Sequence, residues 1–71
     1  MTRVLVTGAG GFVGPHLRAA LETSGHEVWC TDRTLAIAPQ QIPCELTDAD
    51  GTRALVERVR PEAVVHLAGL S

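Results

Sequence analysis

Gly8, Gly11 and Gly14 stand at three-residue spacing directly after the apolar run Val4-Leu5-Val6, and Asp32 stands somewhat over twenty residues beyond the first of them. A glycine turn between a strand and a helix lets the backbone take positive φ. It also leaves no Cβ between main chain and ligand, and lets the helix pack closely on the strand. The unpaired N–H groups of the helix's first turn, with the partial positive charge of that end, favour a phosphate. A carboxylate ending the next strand can accept hydrogen bonds from both hydroxyls of an adenosine ribose. Pyrophosphate and ribose together describe a dinucleotide. The spacing is G-x-x-G-x-x-G and departs from G-x-G-x-x-G, which needs Gly or Ala where Val13 stands; the alternative is a turn that serves packing alone. A P-loop is excluded, because the chain has no lysine.

The other residues with reactive side chains form no constellation. Cys30 and Cys44 match no metal spacing and read as two buried or half-buried thiols in a reducing compartment. His16 reads as a helix-surface residue and His26 as a turn residue, neither with a partner cluster. No metal site and no catalytic residue is assigned. The formal net charge of −2 and six scattered arginines give no basic stripe, so nucleic acid is not an expected partner. No apolar run approaches the ~20 residues of a membrane span and no signal peptide is recognisable, so a cytoplasmic protein without a membrane partner is expected.

The elements that must position these residues fit one small domain over residues 1–71. Residues 3–7 read as a strand buried on both faces. A helix is expected from Gly11 to about Ser24, with Pro15 in its first turn, Phe12, Val13, Leu17, Ala20 and Leu21 inward, Arg18 and Glu22 outward, and Gly25 as its stop. Val28 to Thr31 forms a second strand ending at Asp32, and Ile42 to Leu46 a short third one. Thr47 can cap a helix from Asp48 to about Val59, with Asp50 completing a capping box and Ala54, Leu55, Val56 and Val59 inward. Pro61 ends it, and Ala63 to Leu67 forms a fourth strand running into Ala68-Gly69. The fold class is α/β, half of a doubly wound parallel sheet with strand order 3-2-1-4, whose ligand crevice lies at the strands' carboxyl ends.

Thr7-Gly8-Ala9-Gly10-Gly11-Phe12-Val13-Gly14 resembles the T-G-x-x-G-F-[IV]-G signature of the extended short-chain dehydrogenase/reductases, the NAD(P)-dependent nucleotide-sugar epimerases and dehydratases. Val64-Val65-His66-Leu67-Ala68-Gly69 resembles that family's V-[VI]-H-L-A-[AG] strand. The resemblance implies a Rossmann-like fold and NAD as cofactor, with NADP as the alternative. It implies that the Phe12 and Val13 amides meet the pyrophosphate and that Asp32 meets the adenine ribose. Glu45-Leu46 would lie beside the adenine, where the family has Asp-Leu or Asp-Ile, and Leu67, Ala68 and Gly69 would line the nicotinamide side. Arg33 pulls against Asp32, since it could cover the 2′-phosphate of NADP that a carboxylate repels.

The family's catalysis uses a Tyr-x-x-x-Lys pair to exchange a proton with a sugar hydroxyl as hydride moves. This chain contains neither tyrosine nor lysine. The expectation is therefore the N-terminal, cofactor-binding part of a longer, homodimeric enzyme acting on a nucleotide sugar. The alternatives are a 4-keto-6-deoxy-sugar reductase using NADP and a stand-alone binding module.

Overall fold

Strands and helices follow one another as β1 Arg3–Thr7, α1 Gly14–Thr23, β2 Glu27–Asp32, β3 Gln41–Pro43, α2 Ala49–Val59 and β4 Ala63–His66. The computed structural model describes residues 2–33, 35, 38–45 and 47–67. The four strands form one sheet in the order β3-β2-β1-β4, with every pairing parallel, as expected. The register sets Thr7 of β1 opposite Thr31 on one side and His66 on the other. Three carboxyl ends therefore finish level, and the groups that follow them share one edge.

The middle of β1, Val4-Leu5-Val6, is apolar without interruption because both its faces are covered. Val4 and Val6 join Ala9, Val28, Cys30 and Leu67 in a cluster against which Leu17 and Leu21 of α1 pack. Leu5 points to the opposite face and meets Leu55 and Val59 of α2, with Trp29, Ile42 and Cys44 around them.

α1 begins at Gly14 and not at Gly11; residues 11–13 bend ahead of it, and Val13 is its N-cap without a side-chain hydrogen bond. Phe12 (84 % exposed) and Val13 therefore precede the helical periodicity and lie outside the core, and Ala20 is exposed too. The inward face narrows to Leu17 and Leu21, one helical step of four apart. At the other end Gly25 has φ 89°. Its N–H donates to the Glu22 carbonyl (3.0 Å) and the His26 N–H to that of Leu21 (3.1 Å), so the helix stops where glycine was expected to stop it.

The later elements shift by a few residues from expectation. β3 runs only from Gln41 to Pro43 and does not reach Leu46; the Cys44 N–H still bonds the Asp32 carbonyl at 3.1 Å, and the pairing stops there because β2 itself ends at Asp32. The cap of α2 is Asp48 and not Thr47: Asp48 Oδ1 accepts the Gly51 N–H at 3.2 Å, which takes over the role expected of Thr47 with Asp50. Of the four expected inward residues only Leu55 and Val59 are buried; Ala54 and Val56 are exposed, since α2 meets the sheet along a single four-residue step. β4 stops at His66, with Ala63, Val64 and His66 exposed along the sheet edge.

Candidate functional site at the carboxyl edge of the sheet

Gly8 leaves β1 with φ 72°, a conformation that L side chains rarely adopt. Gly11 and Gly14 do not have positive φ, so the turn places that demand on one glycine of the three. Gly14 answers a different one. A Cβ there would stand 2.1 Å from the Ala9 carbonyl oxygen, so only glycine lets the start of α1 sit directly on the turn. The Ala9 N–H in turn bonds the Thr31 carbonyl at 3.1 Å, which fixes the turn to the end of β2.

Asp32 closes β2 with both carboxylate oxygens engaged. Oδ2 accepts the Gly10 N–H at 2.9 Å and Oδ1 accepts the Arg33 N–H at 2.7 Å. Arg33 reaches toward Glu45, Nη1 to Oε2 3.9 Å. A cavity of about 300 Å³ opens between them, lined by Gly8, Asp32, Arg33, Cys44, Glu45, Thr47 and His66. Four residues singled out in the sequence, Gly8, Asp32, Arg33 and Glu45, thus come together at one hollow. Phe12 and Val13 stand exposed on the approach to α1, whereas Leu67 is buried in the core on the α1 face of the sheet. Leu46, Ala68 and Gly69 lie outside the described residues.

Two participants were not singled out from the sequence. Gly10 is the residue whose N–H meets Asp32, a bond spanning 22 positions. His66 lines the cavity, and its Nδ1 shares a hydrogen bond with Thr7 Oγ1. The strand order 3-2-1-4, which sets β1 beside β4, is the signal that could have brought Thr7 and His66 together.

Of the remaining candidates Cys44 lines the cavity, whereas Cys30 is buried in the core on the α1 face. His16 lies on α1 with its ring 5.6 Å from that of Phe12. Both cysteines are free; burial pushes the Cys30 thiol up, with the Arg18 charge opposing and that of Glu22 reinforcing the shift. Among the described residues no cluster of side chains could hold a metal ion, and no helix is long and apolar enough to cross a membrane.

Comparison with known proteins agrees with this architecture. A UDP-glucose 4-epimerase of Neisseria meningitidis serogroup B is 33 % identical over 84 residues, covering 99 % of this chain and 25 % of that protein. A GDP-L-fucose synthase of Azorhizobium caulinodans is 34 % identical over 68 residues, covering 96 % of this chain and 19 % of that protein. The crystal structure of the Bordetella bronchiseptica enzyme WbmH in complex with NAD+ superimposes with a TM-score of 0.76 at 27 % identity, over 96 % of this chain and 26 % of that one. The chain spans about a quarter, or less, of the length of these proteins. The sequence profile of the NAD dependent epimerase/dehydratase family matches residues 4–71, and the chain belongs to that family.

Proposed function

We propose that this chain is the dinucleotide-binding portion of an enzyme that acts on a nucleotide sugar, with NAD as its cofactor. The observation that carries the reading is the meeting of the Gly8 turn and the Asp32 carboxylate at one cavity on the carboxyl edge of the sheet. The residues fit the group. Gly8 and Gly14 let main chain and helix start approach closely, and the cavity wall supplies acceptors for hydroxyl and amino groups.

In this reading the Phe12 and Val13 amides face the pyrophosphate and Asp32 accepts the adenine ribose hydroxyls. Glu45, with Leu46, borders the adenine, while Leu67, Ala68 and Gly69 border the nicotinamide. A nicotinamide cofactor bound here supplies hydride transfer at the sugar. The acid–base groups for that reaction lie outside this sequence, which contains neither tyrosine nor lysine. The likeness to a UDP-glucose 4-epimerase and a GDP-L-fucose synthase supports a nucleotide sugar as substrate.

Two carboxylates, Asp32 and Glu45, line the cavity against one guanidinium, and Arg33 extends toward Glu45; like charges oppose a 2′-phosphate, so NAD is preferred over NADP. The second reading, a reductase using NADPH, has in its favour the Arg33 side chain at the cavity rim, 74 % exposed and 3.9 Å from Glu45. Titration calorimetry with both cofactors at two salt concentrations separates them. The expected result is tighter NAD, with Asp32→Ala narrowing the gap. Tighter NADP that weakens as salt rises establishes the reductase reading, and a folded chain that binds neither overturns the proposal.

A further inference from the structure

Gly10 belongs to the glycine-rich turn, yet its φ is not positive, so conformation does not explain the glycine. Its surroundings do. A Cβ built there would lie 2.8 Å from Asp32 Oδ2 and 3.1 Å from Asp32 Cγ, so a larger residue fits only if the Asp32 carboxylate moves away. Gly10 is also exposed, so no core packing holds it in place. What holds it is the hydrogen bond from its N–H to Asp32 Oδ2 at 2.9 Å, charge-assisted and therefore stronger than a neutral one. Asp32 Oδ1, fixed by the Arg33 N–H at 2.7 Å, sets the carboxylate's orientation.

We propose that Asp32 is a positioning residue for the glycine turn: through the Gly10 N–H its carboxylate locks the phosphate-facing loop to the ribose-facing strand end, so the two halves of the site form together. A carboxylate has about four acceptor positions. Two are used in this way, which leaves others for ribose hydroxyls. Asp32 thus governs the affinity for phosphate groups as well as for ribose. This consequence rests on the dinucleotide reading, whereas the Gly10 contact itself does not.

Amide hydrogen exchange on the ligand-free chain tests the contact. Gly10 exchange accelerates about tenfold in Asp32→Ala, and Asp32→Asn, which keeps an oxygen acceptor, retains part of the protection. Unchanged Gly10 exchange in an Asp32→Ala chain with native circular dichroism overturns the proposal. The ligand arm uses 2′,3′-dideoxyadenosine 5′-diphosphate, which offers no ribose hydroxyl. If Asp32 served the ribose alone, Asp32→Ala would leave this affinity unchanged, or raise it by removing a negative charge near the phosphates. The positioning role instead gives a loss of about tenfold. Gly10→Ala gives a comparable loss in the native background and no further loss beside Asp32→Ala, where the crowding carboxylate is gone; additive losses overturn the proposal. If the native chain binds neither ADP nor the dideoxy analogue, the dinucleotide reading falls while the exchange experiment still decides the Asp32–Gly10 link.

Discussion

At the N-terminal edge of the sheet Arg3 donates from Nε to Glu27 Oε2 at 2.5 Å and from Nη1 to the Val59 carbonyl at 2.8 Å, while Trp29 Nε1 donates to the same Glu27 oxygen at 2.8 Å. The Arg3 N–H bonds Glu62 Oε1 at 3.1 Å, and the Glu62 N–H returns to the Arg3 carbonyl at 2.8 Å. At the carboxyl edge an arginine also stands among carboxylates. There Arg33 is 3.9 Å from Glu45 and the three side chains Asp32, Arg33 and Glu45 border a hollow. The same residue types close one edge and leave the other open. Polar groups that satisfy one another offer little to a ligand, whereas groups held apart around a cavity keep acceptors and charge available. In a parallel sheet the carboxyl ends lie on one side, where helix starts and loops converge, so the open edge is also the edge at which this fold places ligands.

The largest expected effect comes from breaking the open edge at its base. In Gly14→Ala the new Cβ meets the Ala9 carbonyl oxygen at 2.1 Å, and the turn or α1 must move. A loss of about 3 kcal/mol is expected, a large share of the stability of so small a domain. Thermal denaturation followed by circular dichroism measures it. The glycine loss should exceed that of Arg3→Ala at the closed edge, which removes the side-chain hydrogen bonds to both Glu27 and the Val59 carbonyl.

The closed edge also carries a pH signature. The Trp29 hydrogen bond holds the Glu27 carboxyl below its ordinary value; desolvation opposes this, and the hydrogen bond and charge of Arg3 reinforce it. A carboxyl depressed in the folded state binds a proton more readily when unfolded. Its stabilisation is thus fully present above the ordinary carboxylate range and is lost as pH falls through that range and below it. Glu27→Gln should flatten this acid limb of the melting temperature, and an acid limb as steep as that of the unaltered chain would contradict the assignment.

The smallest expected effect lies in the interior of the sheet, at Thr31 of β2. Thr31 is fully buried, and its hydroxyl has no hydrogen-bond partner among the described residues. Thr31→Val keeps the shape and removes the buried hydroxyl, so a gain of about 1 kcal/mol in denaturant unfolding is expected.

Much of the fold was legible because burial on two faces leaves the plain mark of an unbroken apolar run, as in Val4-Leu5-Val6, and because Gly25 stops α1 by a local rule. The helix starts were less legible. Pro15 has no N–H to give the Gly11 carbonyl and suits the first turn of a helix beginning at Gly14, a signal that a start at Gly11 overlooks, whereas Thr47 and Asp48 are both good caps and type alone does not separate them. Gly8 and Asp32 could be read as site residues from type and spacing. The bond from Gly10 to Asp32 could not, since it depends on how a turn folds over a strand end 22 positions away.

On the proposed function the open edge, and not the closed one, receives a dinucleotide. Titrating NAD into the isotopically labelled chain and following its backbone amides tests it most directly. Saturable shifts are expected at Gly8, Gly10, Asp32, Arg33 and Glu45, with little change at Arg3, Glu27 and Glu62. Saturable shifts centred on the Arg3–Glu27–Glu62 edge, or none anywhere in a folded chain, would contradict it.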